Sequence, residues 1–244
     1  MITGAYHDLV VNLLARIEST QANALSEAAR LIKQALDEGG VLHAFSTGHS
    51  HMMVEEMFYR AGGLVPVNPI FDPGTMLHQG VLRSTGFERL SGYAAVLLQD
   101  VETRPGEPIV IVSNSGGNPV PVEMALLAKQ RGLKVIAITS KSISSHLKSR
   151  FPSGEKLMDV ADILIDNCIE DSDAAIEIDD SGQRAGGLSS IAGIYIIQRL
   201  ILEVIAEFLK ENELPPIFAS ANVLGGDESN LRLINRYKSR VRAL

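Results

Sequence analysis

The sequence predicts an α/β protein: a three-layer α-β-α sandwich around a mostly parallel, five-stranded sheet, with helices added at the amino end. Three observations carry this. Short apolar runs such as VLHAF (41–45), IVIVS (109–113) and KVIAIT (134–139) recur along the chain. Helix-length segments separate them, so the strands are joined by crossovers and lie in a parallel sheet buried on both faces. The composition, 45% hydrophobic and 21% charged over 244 residues, supports a sizeable core in one large domain rather than two.

Taken in order, residues His7 to Leu36 place Val10, Leu13, Leu14, Ile17, Leu25, Ala28, Leu31, Ile32 and Ala35 at helical spacing, and Gly39–Gly40 stops the pattern. One long helix or two shorter ones satisfy it. Val41–Phe45 is the first strand and runs through Ser-Thr-Gly-His-Ser into a helix over His51–Ala61. Leu64–Phe71 is strand-like, made short or irregular by Pro66 and Pro69. Asp72–Arg83 reads as a loop and Phe87–Gln99 as a helix. Ile109–Ser113 enters Asn-Ser-Gly-Gly-Asn, after which Pro119 starts a helix that Gly132 ends. Lys134–Thr139 is the next strand, followed by a Ser/Lys-rich loop to Gly154. Asp162–Asn167 is the fifth, and an extended piece near Ala175–Ile178 adds an edge. Ser189–Glu211 is apolar over more than one face, which suits the core or a subunit interface. The tail holds SANVLGGDESN (220–230) and a last helix. This divides the chain into a helical attachment (1–38), a ligand-binding domain (39–214) and a segment packing on that domain or on a partner subunit (215–244).

Charge and composition exclude several functions. The net charge of -7 disfavours nucleic acid, whose backbone needs a basic surface. It leaves room for a small anion held by local dipoles. The apolar segment Ile191–Leu209 carries Gln198, Arg199, Glu203 and Glu207, so no membrane span is expected. MITGAYHDLVV lacks the basic and apolar regions of a signal peptide. Cys168 is the only cysteine and reads as a small buried hydrophobe near a strand end. A reducing compartment, the cytoplasm, follows.

In an open parallel sheet, ligands bind at the carboxyl ends of the strands, where helix N-termini converge. The first N–H groups of a helix lack partners and carry partial positive charge; a phosphate satisfies both deficits. Ser113–Asn118 offers two serines, two glycines and two asparagines between an apolar strand and a proline-started helix. Glycine lets backbone approach the anion and hydroxyls add donors, whereas capping alone requires less. Ser46–Ser50 is a weaker signal by itself, because Ser50 as an N-cap explains it. Two such loops on one sheet strengthen each other. No G-x-G-x-x-G follows the first strand and no G-x-x-x-x-G-K-[ST] occurs, which disfavours dinucleotides and ATP. No cofactor is expected.

The stretch IVIVSNSGGNPVPVEMALLAKQRGLKVIAITS (109–140) resembles the signature of the SIS (sugar isomerase) domain: strand, S-x-S-G-x-[TN] loop, helix, strand ending in Thr-Ser. VLHAFSTGHSHMMVEEMFYRAGGLVPVNP (41–69) resembles that family's first strand and phosphate-side loop. With its G-H-S-H, F-Y-R-A-G-G-L, E-R-L-x-G-Y-A and S-x-S-G-x-N-x-V-P-x-E-M-A elements, the chain is most similar to a largely uncharacterised bacterial subgroup of SIS phosphosugar-binding proteins. The resemblance makes 39–214 the SIS domain, on a flavodoxin-like sheet. It implies that Ser50, Ser113, Ser115 and Asn118, with the backbone of Asn114, Gly116 and Gly117, bind phosphate. Asn118 stands where many SIS domains have Thr, and His49 where some have Thr or Gly. Assembly as a homodimer or homotetramer is implied as well.

Aldose–ketose isomerisation needs a base to move a proton between C1 and C2 and an acid to open the ring. Glu88 is one candidate base, with an ion pair to a nearby Arg as the competing role. Glu55 is another; of Glu55 and Glu56 only one can face the Ser50 loop, and surface charge is the alternative for both. His49, His51 and His78 are candidate ring-opening acids, each with a structural role in competition. Ser46, His51 and Asn222 are the expected sugar contacts, Asn222 because its polar tail is expected to fold over its own pocket or a neighbour's. Arg60, Arg83 and Arg89 read as solvated or paired, with ligand contact as the alternative. His51 and Glu55 form an i, i+4 pair, but two further ligands at matching spacing are missing, so no metal is expected. A sugar-phosphate isomerase is the leading reading. A non-catalytic phosphosugar sensor, and a lyase or etherase acting on an amino-sugar phosphate, are the alternatives.

Overall fold

The five predicted strands form one all-parallel sheet in the order β2-β1-β3-β4-β5: β1 (Leu42–Ser46), β2 (Val67–Pro69), β3 (Pro108–Val112), β4 (Lys134–Thr139) and β5 (Ile163–Asp166). This is seen in a computed structural model that describes residues 2–244. The order is that of flavodoxin-like folds, in which chain direction across the sheet reverses between β1 and β3. Those two strands pair directly, with Ser46 opposite Val112, so the two polar loops leave the sheet side by side.

Alternation along the strands builds two cores. Leu42, Ala44, Val110, Val112, Ile136 and Ile138 face α1 (Ile2–Asp37), α2 (Met52–Met57) and α8 (Ser189–Lys210). Phe45, Ile109, Ile111, Val135 and Ala137 face α4 (Tyr93–Gln99), α5 (Pro119–Gln130) and α7 (Leu157–Val160). The amino-terminal periodicity is one continuous helix, whose Leu13, Ile17, Leu25, Ala28 and Ile32 belong to the first core. Among the described residues no helix is long and apolar enough to cross a membrane.

Several expectations need correction. The Phe87–Gln99 helix is two helices, α3 (Val81–Glu88) and α4. The break falls at Gly92, whose φ of 88° is costly for residues with a Cβ. The Glu123 carboxylate reaches over from α5 and accepts from the amides of Gly92 (2.9 Å) and Ala94 (3.2 Å), supplying the N-cap that α4 lacks. Asp72–Arg83 is only partly loop, since α3 begins at Val81. The helix over His51–Ala61 is shorter: a 3-10 turn at Gly48–His51 leads into α2, which ends where Phe58 is extended and Tyr59 takes a φ of 48°. Within the Ser/Lys-rich stretch, Ser140 caps a short helix, α6 (Lys141–His146). The piece near Ala175–Ile178 is strand β6 (Ala174–Glu177), but it pairs antiparallel with β7 (Arg184–Gly187) in a separate hairpin and adds no edge to the main sheet.

Candidate functional site

The second loop is held open by its own polar atoms. Ser113 is buried, and its Oγ accepts from the Gly116 amide at 3.3 Å. Asn114 turns toward β5: its Oδ1 accepts from Asn167 at 2.7 Å, while its carbonyl accepts from Thr139 Oγ1 (3.2 Å) and the Ser140 amide (3.1 Å). These two side chains therefore shape the loop. Gly116 has a φ of 61°, and a Cβ there would meet Thr139 Oγ1 at 2.9 Å. The Gly117 and Gly116 carbonyls accept from the amides of Arg150 and Leu157, both at 2.8 Å. What remains free is a set of donors. Among the described residues the amides of Asn114, Ser115, Gly117 and Asn118 have no acceptor, and the half-buried Ser115 hydroxyl has no partner. Because α5 runs for 12 residues from Pro119, with Asn118 as its N-cap, its aligned peptide dipoles add positive potential at this point.

The first loop contributes side chains rather than a helix end, since α2 has only 6 residues behind its 3-10 turn. Ser50 is half-buried within that turn and is not the N-cap of α2, which is His51. Gly48, His49, His51, Met52, Glu55, Leu77 and His78 line a cleft of about 380 Å³. The structure thus brings together His49, His51, Glu55 and His78. His51 is buried, with its ring 5.2 Å from that of Phe71 and its Nδ1 3.4 Å from Glu55 Oε1. Its Nε2 is buried with no partner. Burial pushes the His51 imidazole below the usual histidine range, and the Glu55 carboxylate offsets this only in part. Glu56 points away, bound to Arg60 and to Gln198 (2.6 Å).

One carboxylate joins the loops. Glu88, at the end of α3, accepts through Oε1 from Asn118 Nδ2, and its Oε2 lies 3.6 Å from where a Cβ on Gly48 would stand. Its partner is an amide, and among the described residues it has no ion pair with an arginine. Two larger clefts of about 480 Å³ lie elsewhere, without the loop donors.

A family profile for the SIS domain matches residues 5–140, which include both loops and Glu88. The chain belongs to the SIS-domain family. It is 44% identical over 243 residues to a UPF0309 protein of Thermoanaerobacter pseudethanolicus, covering 98% of each chain. Among solved structures, a phosphoheptose isomerase from Francisella tularensis superimposes with a TM-score of 0.56 at 13% identity, over 84% of this chain and 96% of that one. The sugar isomerase domain of an RpiR transcription factor from Sphaerobacter thermophilus gives a TM-score of 0.52 at 14% identity over 98% of both. These likenesses show the SIS fold.

Two expected sugar contacts sit elsewhere in this SIS domain. Ser46 is fully buried, and its hydroxyl donates to the Val112 carbonyl at 2.6 Å, inside the sheet. Asn222 lies in the tail, which packs with Val41, Val65, Phe218, Tyr237 and Val241 near the amino ends of β1 and β2. Folding of the tail over its own chain's loops is therefore corrected: the tail sits at the opposite end of the strands. Cys168 follows β5, buried, and burial raises its thiol pKa.

Sequence reading missed two features. Arg150 Nη1 donates to Asn118 Oδ1 at 3.2 Å; only the cluster of basic residues at 148–156 hinted at it. The other is a buried network under the amino end of the sheet. Glu107 accepts from His43 Nε2 (3.0 Å), the Val41 and Arg104 amides (3.0 and 2.7 Å) and Arg240 Nη2 (2.8 Å). Asn68 Nδ2 donates to His43 Nδ1 at 3.1 Å. A histidine inside the apolar run VLHAF was its one local signal.

Proposed function

We propose that this protein binds a sugar phosphate across its two loops and interconverts the aldose and ketose forms, with Glu88 as the base. The observation that carries this reading is the Glu88 carboxylate, held between Gly48 of one loop and Asn118 of the other. The phosphate sits on Ser115, the free loop amides and Asn118, with Ser50 closing it from the first loop. The sugar then extends toward the histidine-lined cleft, placing C1 and C2 beside Glu88. Glu88 takes the proton from C2 of the aldose, leaving an enediolate; a proton passes from O2 to O1, and Glu88 returns its own to C1, giving the ketose. His51, neutral and with Nε2 unpaired, takes the proton of the anomeric hydroxyl through Nε2 and delivers it to the ring oxygen as the ring opens. Its hydrogen-bond partner Glu55 holds it in orientation. His49 and His78, exposed at the rim, contact the sugar hydroxyls.

The likeness to a phosphoheptose isomerase supports catalysis. A non-catalytic sensor is the second reading, and the likeness to an RpiR transcription factor favours it. Either reading is served by a homodimer or homotetramer. Met52, Leu77, Val81 and Leu82 are exposed around the first-loop cleft, and Val223 and Leu224 beside Asn222. A neighbouring subunit's tail meeting this rim covers both sets and brings Asn222 to the cleft in trans.

The test is a panel of aldose, ketose and amino-sugar phosphates, followed by thermal stabilisation and by NMR in deuterated water. Ligand at 100 times its Kd stabilises by about 2.7 kcal/mol. Turnover with exchange at C2 is the expected result. Stabilisation without turnover favours the sensor. Absence of both, or equal stabilisation by free sugars and their phosphates, refutes both readings. Ser115→Ala is expected to weaken phosphorylated ligands about tenfold or more, the loss of one hydrogen bond to a charged group, and to leave free sugars unaffected.

A further inference from the structure

A carboxylate at the end of a helix gains nothing from the peptide dipoles, which favour cations there. Glu88 ends α3, and its anchor is the Asn118 side-chain amide. That amide is itself fixed. Arg150 Nη1 donates to Asn118 Oδ1 at 3.2 Å, and the Arg150 backbone amide is tied to the Gly117 carbonyl at 2.8 Å. With its oxygen turned to Arg150, Asn118 points its NH2 group inward, and Glu88 receives it.

A carboxylate oxygen and a phosphate oxygen make the same demand on an N–H donor. The free amides of Ser115, Gly117 and Asn118 lie beside the Asn118 side chain. A dianion on those donors therefore arrives within a few ångströms of the Glu88 charge, at a distance where like charges repel strongly in a partly desolvated site. Both anions cannot be stabilised there equally well.

We propose that Glu88 is parked in the empty site as a stand-in anion on Asn118, and that the incoming phosphate displaces it. The carboxylate released in this way turns toward the sugar, so that binding the phosphate and freeing the base are one event. Arg150 is a positioning residue: it keeps the Asn118 donor facing inward and adds positive charge at the cradle's rim. Free sugars, lacking the dianion, leave Glu88 parked. This inference rests on the phosphate-cradle reading above, which the following experiment tests separately.

Inorganic phosphate is titrated by 31P NMR into the unaltered protein and into Glu88→Gln, Glu88→Ala, Arg150→Ala, Ser115→Ala and Glu155→Gln, each checked for an unchanged melting transition. Both Glu88 variants are expected to bind phosphate about tenfold more tightly, corresponding to 1.4 kcal/mol. Arg150→Ala is expected to bind several-fold more weakly. Glu155 is an exposed carboxylate on the segment that packs against Gly116 and Gly117, and its neutralisation is expected to change affinity less than twofold. If Ser115→Ala weakens phosphate while neither Glu88 variant tightens it, the parking of Glu88 is overturned and the cradle stands. Equal tightening by Glu155→Gln overturns it too, by tracing the effect to overall charge. If Ser115→Ala leaves phosphate affinity unchanged, the cradle itself is wrong.

Discussion

Neutralising Glu107 should cost stability in a manner that depends on pH. The carboxylate is 3% exposed, and burial alone would raise its pKa. The hydrogen bonds from His43, the Arg104 amide and Arg240 overcome that and hold it at about 2, against an ordinary 4.5. At 1.36 kcal/mol per decade this difference is worth about 3 kcal/mol of folding free energy. Because the folded value is the lower one, the contribution is complete above the unfolded value and disappears as pH falls toward the folded value. Glu107→Gln removes the charge and keeps the shape. The variant should therefore be about 3 kcal/mol less stable at pH 7, with a melting temperature lower by about 6–12 °C for a chain of this size. The gap should narrow to about half near pH 3.3 and nearly close at pH 2. Urea denaturation of both proteins at four pH values between 7 and 2 measures it. A gap that stays constant across that range would refute the charge argument and leave only lost packing. A gap under about 1 kcal/mol at pH 7 would mean that desolvation cancels the hydrogen bonds.

Other perturbations separate the two ends of the sheet. Arg240→Ala should destabilise by about 3 kcal/mol, since it strips a buried carboxylate of its guanidinium partner, yet leave the Kd for phosphate unchanged in the same 31P titration. Gly116→Ala must place a Cβ 2.9 Å from Thr139 Oγ1 at a φ of 61°. It should lower stability by about 1–3 kcal/mol and weaken phosphate at least tenfold; a normal melting curve with normal binding would show that the loop is not tightly packed. His51→Gln should lower turnover about 100-fold or more while sparing ligand affinity, as loss of a proton-transfer group does. The wild-type pH–rate profile should lose activity only below the usual histidine range, because burial keeps the imidazole neutral; an acid limb above pH 6.5 would contradict this.

The legible parts of the molecule were those whose physics is local in sequence. Apolar runs between helix-length segments name the strands, and a loop such as Ser113–Asn118 displays its donors within six residues of a strand end. Contacts across long separations were not legible. Glu88 and Asn118 lie 30 positions apart, Glu107 and Arg240 133 apart, and nothing near either residue announces its partner. For this reason Glu88 is weighed against an arginine pair that the described residues lack, and of the two positions open to the tail, the one over its own loops lies at the wrong end of the sheet. The broken helix at Gly92 was missed on different grounds. Tyr93–Gln99 is a weak helix on its own, and the Glu123 side chain that caps it comes from 29 or more positions away. Ser46 misled in the opposite direction, since a hydroxyl in a polar loop sequence found its acceptor across the β1–β3 pair.

The two ends of the sheet treat polar groups in opposite ways, and the contrast bears on function. At the amino ends, both Glu107 oxygens are taken up by donors from His43, Val41, Arg104 and Arg240. Such a closed set stabilises the fold and leaves little for a ligand to gain. At the carboxyl ends of β1 and β3, donors exceed acceptors. Among the described residues four loop amides and the Ser115 hydroxyl are unmatched there, and Glu88 answers only one donor. Donors that have no protein acceptor can exchange water for an acceptor-rich ligand and gain charge-assisted hydrogen bonds. The chain's net charge of -7 makes a polyanion a poor partner. A single compact anion is repelled far less, since most of those charges lie beyond a Debye length of about 8 Å in physiological salt. A small phosphorylated ligand fits the donor surplus and the acidic surface together, which neither a nucleic acid nor a neutral sugar does.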